Sequence, residues 1–266
     1  MKTKVNGFQI KVIGVITMVF DHLGQFFSFL GIPLWFHWIG RIAAPLFLFE
    51  SSEGFIHTSN RKKYMFRLLI GFWIMSVGDW ILNTYFAIGN AIVINNIFGT
   101  LLVGTIYMQS IEFLKSGVKN KASKDILSGI GLFLLPILTS VLPLLGAFTG
   151  GSSAIVNWIA LLSGFLLPSL LLAEGGFLFV LLAVLFYLFH GKKIWQVLSL
   201  VVIAAISYFA GGGNPFTDNY QWMMLLSAIP IILYDGTKGK SMRNFFYIFY
   251  PAHIFIFALI SYFIQR

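Results

Sequence analysis

The sequence predicts an all-α, polytopic transmembrane helical bundle of about nine or ten spans, read as one integral membrane domain over residues 1–266. Three observations predict it. The chain is 58% hydrophobic and 10% charged. A soluble domain carries roughly 25% charged residues, so this surface cannot be covered for water and must face the lipid bilayer. The apolar residues fall in runs close to the roughly 20 residues that cross a hydrocarbon core. The basic residues sit in short clusters between those runs, the pattern that orients spans in a membrane. A formal charge of +9 could also serve nucleic acid, but this distribution is a topology signal, and no nucleic-acid partner is expected.

The first run begins within MKTKVNGFQI, which opens like a leader peptide. It contains Lys11 and meets Asp21-His22 rather than a small-residue cleavage site, so it is read as a retained first span, 8–30. Further runs lie at 36–57, 64–83, 88–114, 126–145, 153–172, 175–190, 194–210, 220–235 and 244–264. In lipid each must satisfy its own backbone hydrogen bonds, so each is a helix.

Lys2 and Lys4, then Arg61-Lys62-Lys63, then Lys115 to Lys124 follow every second span. They place the N-terminus and these loops in the cytoplasm, at the cell membrane. The uncharged loops 31–36 and 84–90 should lie outside. Lys192-Lys193 and the loop from Lys238 to Arg243 should also be cytoplasmic. That requires 153–190 to cross once, with 153–172 re-entrant or on the surface. Gly164, Pro168 and Glu174-Gly175-Gly176 permit irregular backbone there. Ten full spans with one departure from the charge rule is the alternative.

Ionisable residues inside a span are costly and mark function. The first three spans hold Lys11, Asp21, His22, Arg41, Glu50, Glu53 and Arg67, and the last holds His253. At 1.5 Å rise per residue, His22 lies roughly 12 Å and Arg41 roughly 8 Å below the outer ends of their spans. Lys11 lies roughly 16 Å deeper than His22, and Glu50 roughly 13 Å deeper than Arg41. Two polar layers result: Asp21, His22 and Arg41 outside, Lys11 and Glu50 inside. His22 is the candidate general base, since its ordinary pKa is near neutrality. Asp21 cannot face its chain neighbour His22, so it should pair with Arg41 or another helix.

Lys11 could instead snorkel to the interface. Arg61, Lys62 and Lys63 are either topology determinants or, with Arg67, a basic mouth for an anionic donor. His253 follows Tyr250-Pro251 and either packs in the core or faces the site. His37, His57 and His190 lie at span ends and read as interfacial. Cysteine is absent, which excludes disulfides and a thiol nucleophile. The histidines lack HExxH-like spacing, so no metal is expected. Gly211-Gly212-Gly213-Asn214-Pro215 is a loop rather than a phosphate cradle, because no Lys-Ser/Thr follows.

The stretches KVIGVITMVFDHLG, IGRIAAPLFLFESSEGFIHTSNRKKYMFRLL and FYIFYPAHIFIF resemble the TraX family, with QWMMLLSAIPIILYDGTKG also similar. A named member of that family is linked to N-terminal acetylation of F-type conjugative pilin, and the family looks related to transmembrane acyltransferases. Those enzymes share a basic residue, ten intervening residues and a histidine, the spacing of Lys11 and His22. The resemblance implies an acyltransferase-like bundle with His22 as base, Lys11 toward the donor and Arg41 in a Gly-Arg motif. The acyltransferases' paired arginines are not reproduced at their usual spacing, which leaves Arg61 and Arg67 without a direct counterpart. It further implies acetyl-CoA as donor, entering from the cytoplasm. The acceptor would be an amine or hydroxyl of a secreted peptide or glycan at the outer face. A transporter using the buried charges as a pathway is the competing class.

Overall fold

The computed structural model describes residues 4–87, 92–148 and 153–266. Lys2 and positions 88–91, where the fourth span was expected to begin, lie outside the described residues. So does the end of the predicted outer loop 84–90.

The helices are α1 (Gly7–Phe26), α2 (Trp35–Gly40), α3 (Ala43–His57), α4 (Arg61–Tyr85), α5 (Ile97–Asn120), α6 (Ser123–Phe148), α7 (Ala154–Leu166), α8 (Gly176–Leu188), α9 (Lys193–Ala210), α10 (Ala228–Leu233) and α11 (Arg243–Ile264). Short 3₁₀ helices lie at Ser28–Leu30 and Tyr220–Ser227. No strand occurs among the described residues. Helices α4, α5, α6, α9 and α11 are long and apolar enough to cross a membrane. The chain is therefore a multi-pass membrane protein, as its composition requires.

Two compact units divide the chain. The first comprises Met1–Glu53, Gly78–Ile94 and Leu185–Arg266. The second comprises Gly54–Val77 and Asn95–Val184.

In the first unit, Asn6 starts α1 with a reciprocal cap. Its side chain accepts from Gln9 N–H at 3.0 Å, and its own N–H donates to Gln9 Oε1 at 2.9 Å. The expected second span, 36–57, is broken at Arg41–Ile42. The reason is Pro45, which has no N–H for the Arg41 carbonyl and whose ring crowds that carbonyl. Residues 92–94 are not helical, although the fourth span was expected to include them. Asn83 instead ties down Val93, accepting from its N–H and donating to its carbonyl, both at 2.8 Å.

In the second unit, α4 and α5 interlock through two glycine–phenylalanine contacts. A Cβ on Gly71 would stand 2.8 Å from the Phe98 ring, and one on Gly99 would stand 3.0 Å from Phe72. Gly71→Ala should therefore lower stability by about 1–3 kcal/mol, through overpacking. Thermal unfolding in detergent would measure it, and an unchanged melting temperature would refute the close fit.

The irregular backbone expected near Pro168 is present. α7 ends at Leu166, about 20 Å from its start. The following segment is held by polar groups of α6 and α5. Leu170 N–H donates to Pro136 O at 3.2 Å, Thr139 Oγ1 to Pro168 O at 2.9 Å, Leu171 N–H to Ser140 Oγ at 3.2 Å and Thr100 Oγ1 to Glu174 O at 2.8 Å. Gly175 and Gly176 turn the chain into α8 at φ 74° and 63°, which glycine adopts without a Cβ penalty. Non-helical backbone is tolerated at membrane depth only when satisfied by protein in this way.

Candidate functional site

All three polar clusters below lie in the first unit. At its centre, α1 and α11 pack together and bring His22 against His253. His22 Nδ1 and His253 Nε2 are 2.6 Å apart, with the two residues 4% and 5% exposed. Ser261 Oγ donates to Phe26 O at 2.6 Å and ties the end of α1 to α11. The His253 ring stacks on Phe249 at 4.9 Å and on His22 at 4.9 Å. Tyr250 meets both imidazoles edge-on, at 6.5 and 5.8 Å.

The hydrogen bonds select the tautomers. His253 Nδ1 lies 2.8 Å from the Phe249 carbonyl, which can only accept, so Nδ1 carries the proton. A neutral imidazole then presents Nε2 as an acceptor. His22 Nδ1–H donates to it, which leaves the lone pair of the His22 ring on Nε2. Burial, the ordering carbonyl and the ring stack together hold the His22 imidazole in one orientation.

The outer layer pairs as expected from depth. Arg41 Nη2 donates to Asp21 Oδ2, and Arg41 Nη1 donates to Gln221 Oε1 at 3.1 Å. The guanidinium also lies over Tyr220, 5.5 Å from its centroid. His37 was expected at the interface. It is instead built into this layer, with Nδ1 2.9 Å from Asp21 Oδ1 and its ring stacked on Tyr220 at 5.6 Å. Gly24 makes room for it, since a Cβ there would stand 2.8 Å from the imidazole. Beside this layer is an apolar cavity of about 300 Å³, lined by Trp35, Trp38, Ile39, Trp222 and Met223 among others.

The inner layer is also paired. Lys11 Nζ meets Glu50 Oε2 at 2.6 Å, so Lys11 turns inward rather than snorkelling. One turn along α3, Glu53 lies 2.8 Å from His190 Nδ1 and accepts from Tyr234 OH at 3.3 Å. His190, expected at the interface, is thus part of a polar cluster.

The expected donor mouth lies in the second unit. Arg61 donates to Glu112 at 3.0 Å and packs over Phe55 at 4.7 Å. Lys62 and Lys63 are exposed, and Arg67 is half-buried. Sequence reasoning missed Gln221, Tyr220, Tyr234 and Glu112. It also missed the buried Asp79 of α4, which the rule for charges inside spans could have found.

The fold and these clusters define a multi-pass α-helical membrane protein with ionisable groups gathered around a buried histidine pair. A family model described as TraX protein matches residues 6–261, and the chain belongs to the TraX family. It is also similar to the probable fimbrial assembly protein FimC, serogroup H1, of Dichelobacter nodosus. That similarity is 40% identity over 68 residues, 24% of this chain and 27% of that relative. The chain thus aligns with little more than a quarter of the relative's length. No solved structure matches.

Proposed function

We propose that this protein is a membrane-embedded acetyltransferase, acting from the cytoplasmic membrane with its N-terminus in the cytoplasm. It moves an acetyl group from acetyl-CoA to an amine or hydroxyl acceptor at the outer face. The observation that carries the reading is the His22–His253 pair, whose hydrogen bonds direct a lone pair onto His22 Nε2. Family membership supports it. The fimbrial assembly relative favours the amine of a secreted, pilin-like peptide as acceptor.

The acceptor nitrogen attacks the thioester carbonyl and forms the new C–N bond. His22 Nε2 takes the proton the nitrogen sheds, acting as general base. The resulting imidazolium is steadied by its Nδ1–H bond to His253. The tetrahedral intermediate then expels the coenzyme A sulfur, the C–S bond breaks, and His22 returns the proton to the thiolate. Products are the acetylated acceptor and free thiol. Asp21 fixes Arg41, so the guanidinium presents a preorganised positive field on the outer side, where an oxyanion would need it. The tryptophan-lined cavity would take an apolar part of the acceptor.

The test uses purified full-length protein with acetyl-labelled acetyl-CoA and peptide or glycan acceptors, read by mass spectrometry. A labelled acceptor is expected. Substrate flux in proteoliposomes without acetyl transfer would replace this reading with transport.

A further inference from the structure

A neutral amine attacks a thioester, and an ammonium does not. An α-amino group has an ordinary pKa of roughly 7.7–8.0, so near neutrality it arrives mostly as ammonium, its lone pair held by a proton. Two protons must therefore leave the nitrogen, one before the attack and one as the C–N bond forms. His22 Nε2 accounts for the second. His22 is 4% exposed, and the proton it takes goes back to the coenzyme A thiolate. The first proton needs a different base, one in contact with water.

The outer layer holds such a group. His37 Nδ1 is 2.9 Å from Asp21 Oδ1. A carboxylate only accepts, so Nδ1 carries the proton and the His37 lone pair lies on Nε2. The other carboxylate oxygen, Oδ2, accepts from Arg41. Asp21 is thus fixed at both oxygens, and its charge favours an imidazolium at His37. The ring stacks on Tyr220 at 5.6 Å. On α1, Gly24 leaves room for it, since a Cβ there would stand 2.8 Å from Nε2. Unlike His22, the His37 side chain keeps 20% exposure, so a proton taken there can pass to water.

The two histidines belong to one neighbourhood. Asp21 and Gly24, three residues apart, share the α1 face that meets α2, while His22 turns to α11. Along α1, Gly24 and His22 differ in level by about 3 Å. His22 lies within electrostatic reach of Asp21, Arg41 and His37. Trp35, Trp38 and Ile39 of the apolar cavity belong to α2, the helix that carries His37. An acceptor with its apolar part in that cavity brings its amine beside His37.

We infer that the Asp21–His37 dyad is a second base, which takes the first proton from an acceptor arriving as ammonium, and that the acceptor is a primary amine rather than a hydroxyl. The inference rests on the acetyltransferase reading and names its substrate class. One N–H bond of the ammonium breaks, the electron pair stays on nitrogen, and the proton moves to His37 Nε2 and on to water. The neutral amine then attacks the thioester, with His22 taking and returning the second proton. One proton is released for each acetyl group transferred. A hydroxyl acceptor has a single proton to lose and would use His22 alone.

Purified full-length protein is given acetyl-labelled acetyl-CoA at about pH 6.5, below the ordinary α-amine pKa. One acceptor is a short peptide with a free α-amine. The other is the same peptide with azaglycine as its first residue, whose terminal nitrogen is neutral at that pH. His37→Gln can still donate to Asp21 but takes no proton. It should lower kcat/KM for the α-amine peptide by about tenfold or more, and leave the azaglycine peptide within about twofold of wild type. Gly24→Ala presses a methyl group against Nε2 and should give the same selective loss with the imidazole intact. It decides alone where His37→Gln does not fold. Equal losses with both acceptors assign His37 a packing role and overturn the inference, as does no loss with either. Wild-type transfer to hydroxyl acceptors alone overturns it and keeps the transferase reading. A wild-type protein that acetylates no acceptor removes the transferase reading itself.

Discussion

His22→Gln is expected to cut acetyl transfer by about 10²- to 10⁴-fold, the usual contribution of a positioned general base. Glutamine nearly matches the histidine's size and can still donate to His253 Nε2, so packing and partner are largely kept. It cannot take a proton at neutral pH. The site is too enclosed for bulk water to substitute, since His22 is buried beneath Phe26, Tyr250 and His253. Donor affinity should be unchanged, because the change removes a proton acceptor and alters no charge at neutral pH. Two changes at His253 add a graded readout. His253→Leu leaves His22 Nδ1–H facing a non-acceptor and should approach the loss at His22. His253→Gln can offer Oε1 to that N–H and should recover part of the activity. Labelled acetyl transfer by the folded variants measures all three. Full activity in His22→Gln would remove the base from the mechanism, whatever the state of the other residues.

The parts of this site that could be read in advance obey one-dimensional rules. Rise per residue along the expected first and second spans placed Asp21 level with Arg41 and Lys11 level with Glu50, and both pairs are formed. The break before α3 was also legible, since Pro45 stands four residues after Arg41, although the apolar run read as one span. What could not be read comes from distant chain. His253 is 231 residues from His22, and Gln221 is 180 from Arg41. Neutral partners such as Gln221 and Tyr234 carry no membrane penalty that would flag them. His37 and His190 looked interfacial because they sit at span ends. Depth along the chain says nothing of which way a ring turns. The donor cluster at Arg61 followed from charge alone, and charge alone cannot reveal that Glu112 waits on α5.

Asp21→Ala should destabilise the folded protein by about 3 kcal/mol, the lower end for removing one partner of a buried ion pair. The lower end applies because the Asp21 and Arg41 side chains keep 18% and 25% exposure. Three things fail together. Arg41 loses its counter-charge, His37 Nδ1 loses its acceptor, and the two-residue turn between α2 and α3 loses the anchor that ties it to α1. Neither side chain can find a new partner without disturbing Tyr220 and Gln221 on the neighbouring 3₁₀ helix. Arg41→Gln alone should also be harmful, because it leaves the carboxylate with only His37. Combining Asp21→Asn with Arg41→Gln removes both charges and restores a neutral hydrogen-bonding pair. The double variant should therefore cost less than the sum of the single changes, which is the mark of direct coupling. Thermal unfolding in detergent of the wild type, Asp21→Asn, Arg41→Gln and the double variant gives the cycle. Strictly additive losses would mean that the pair does not hold the outer layer together.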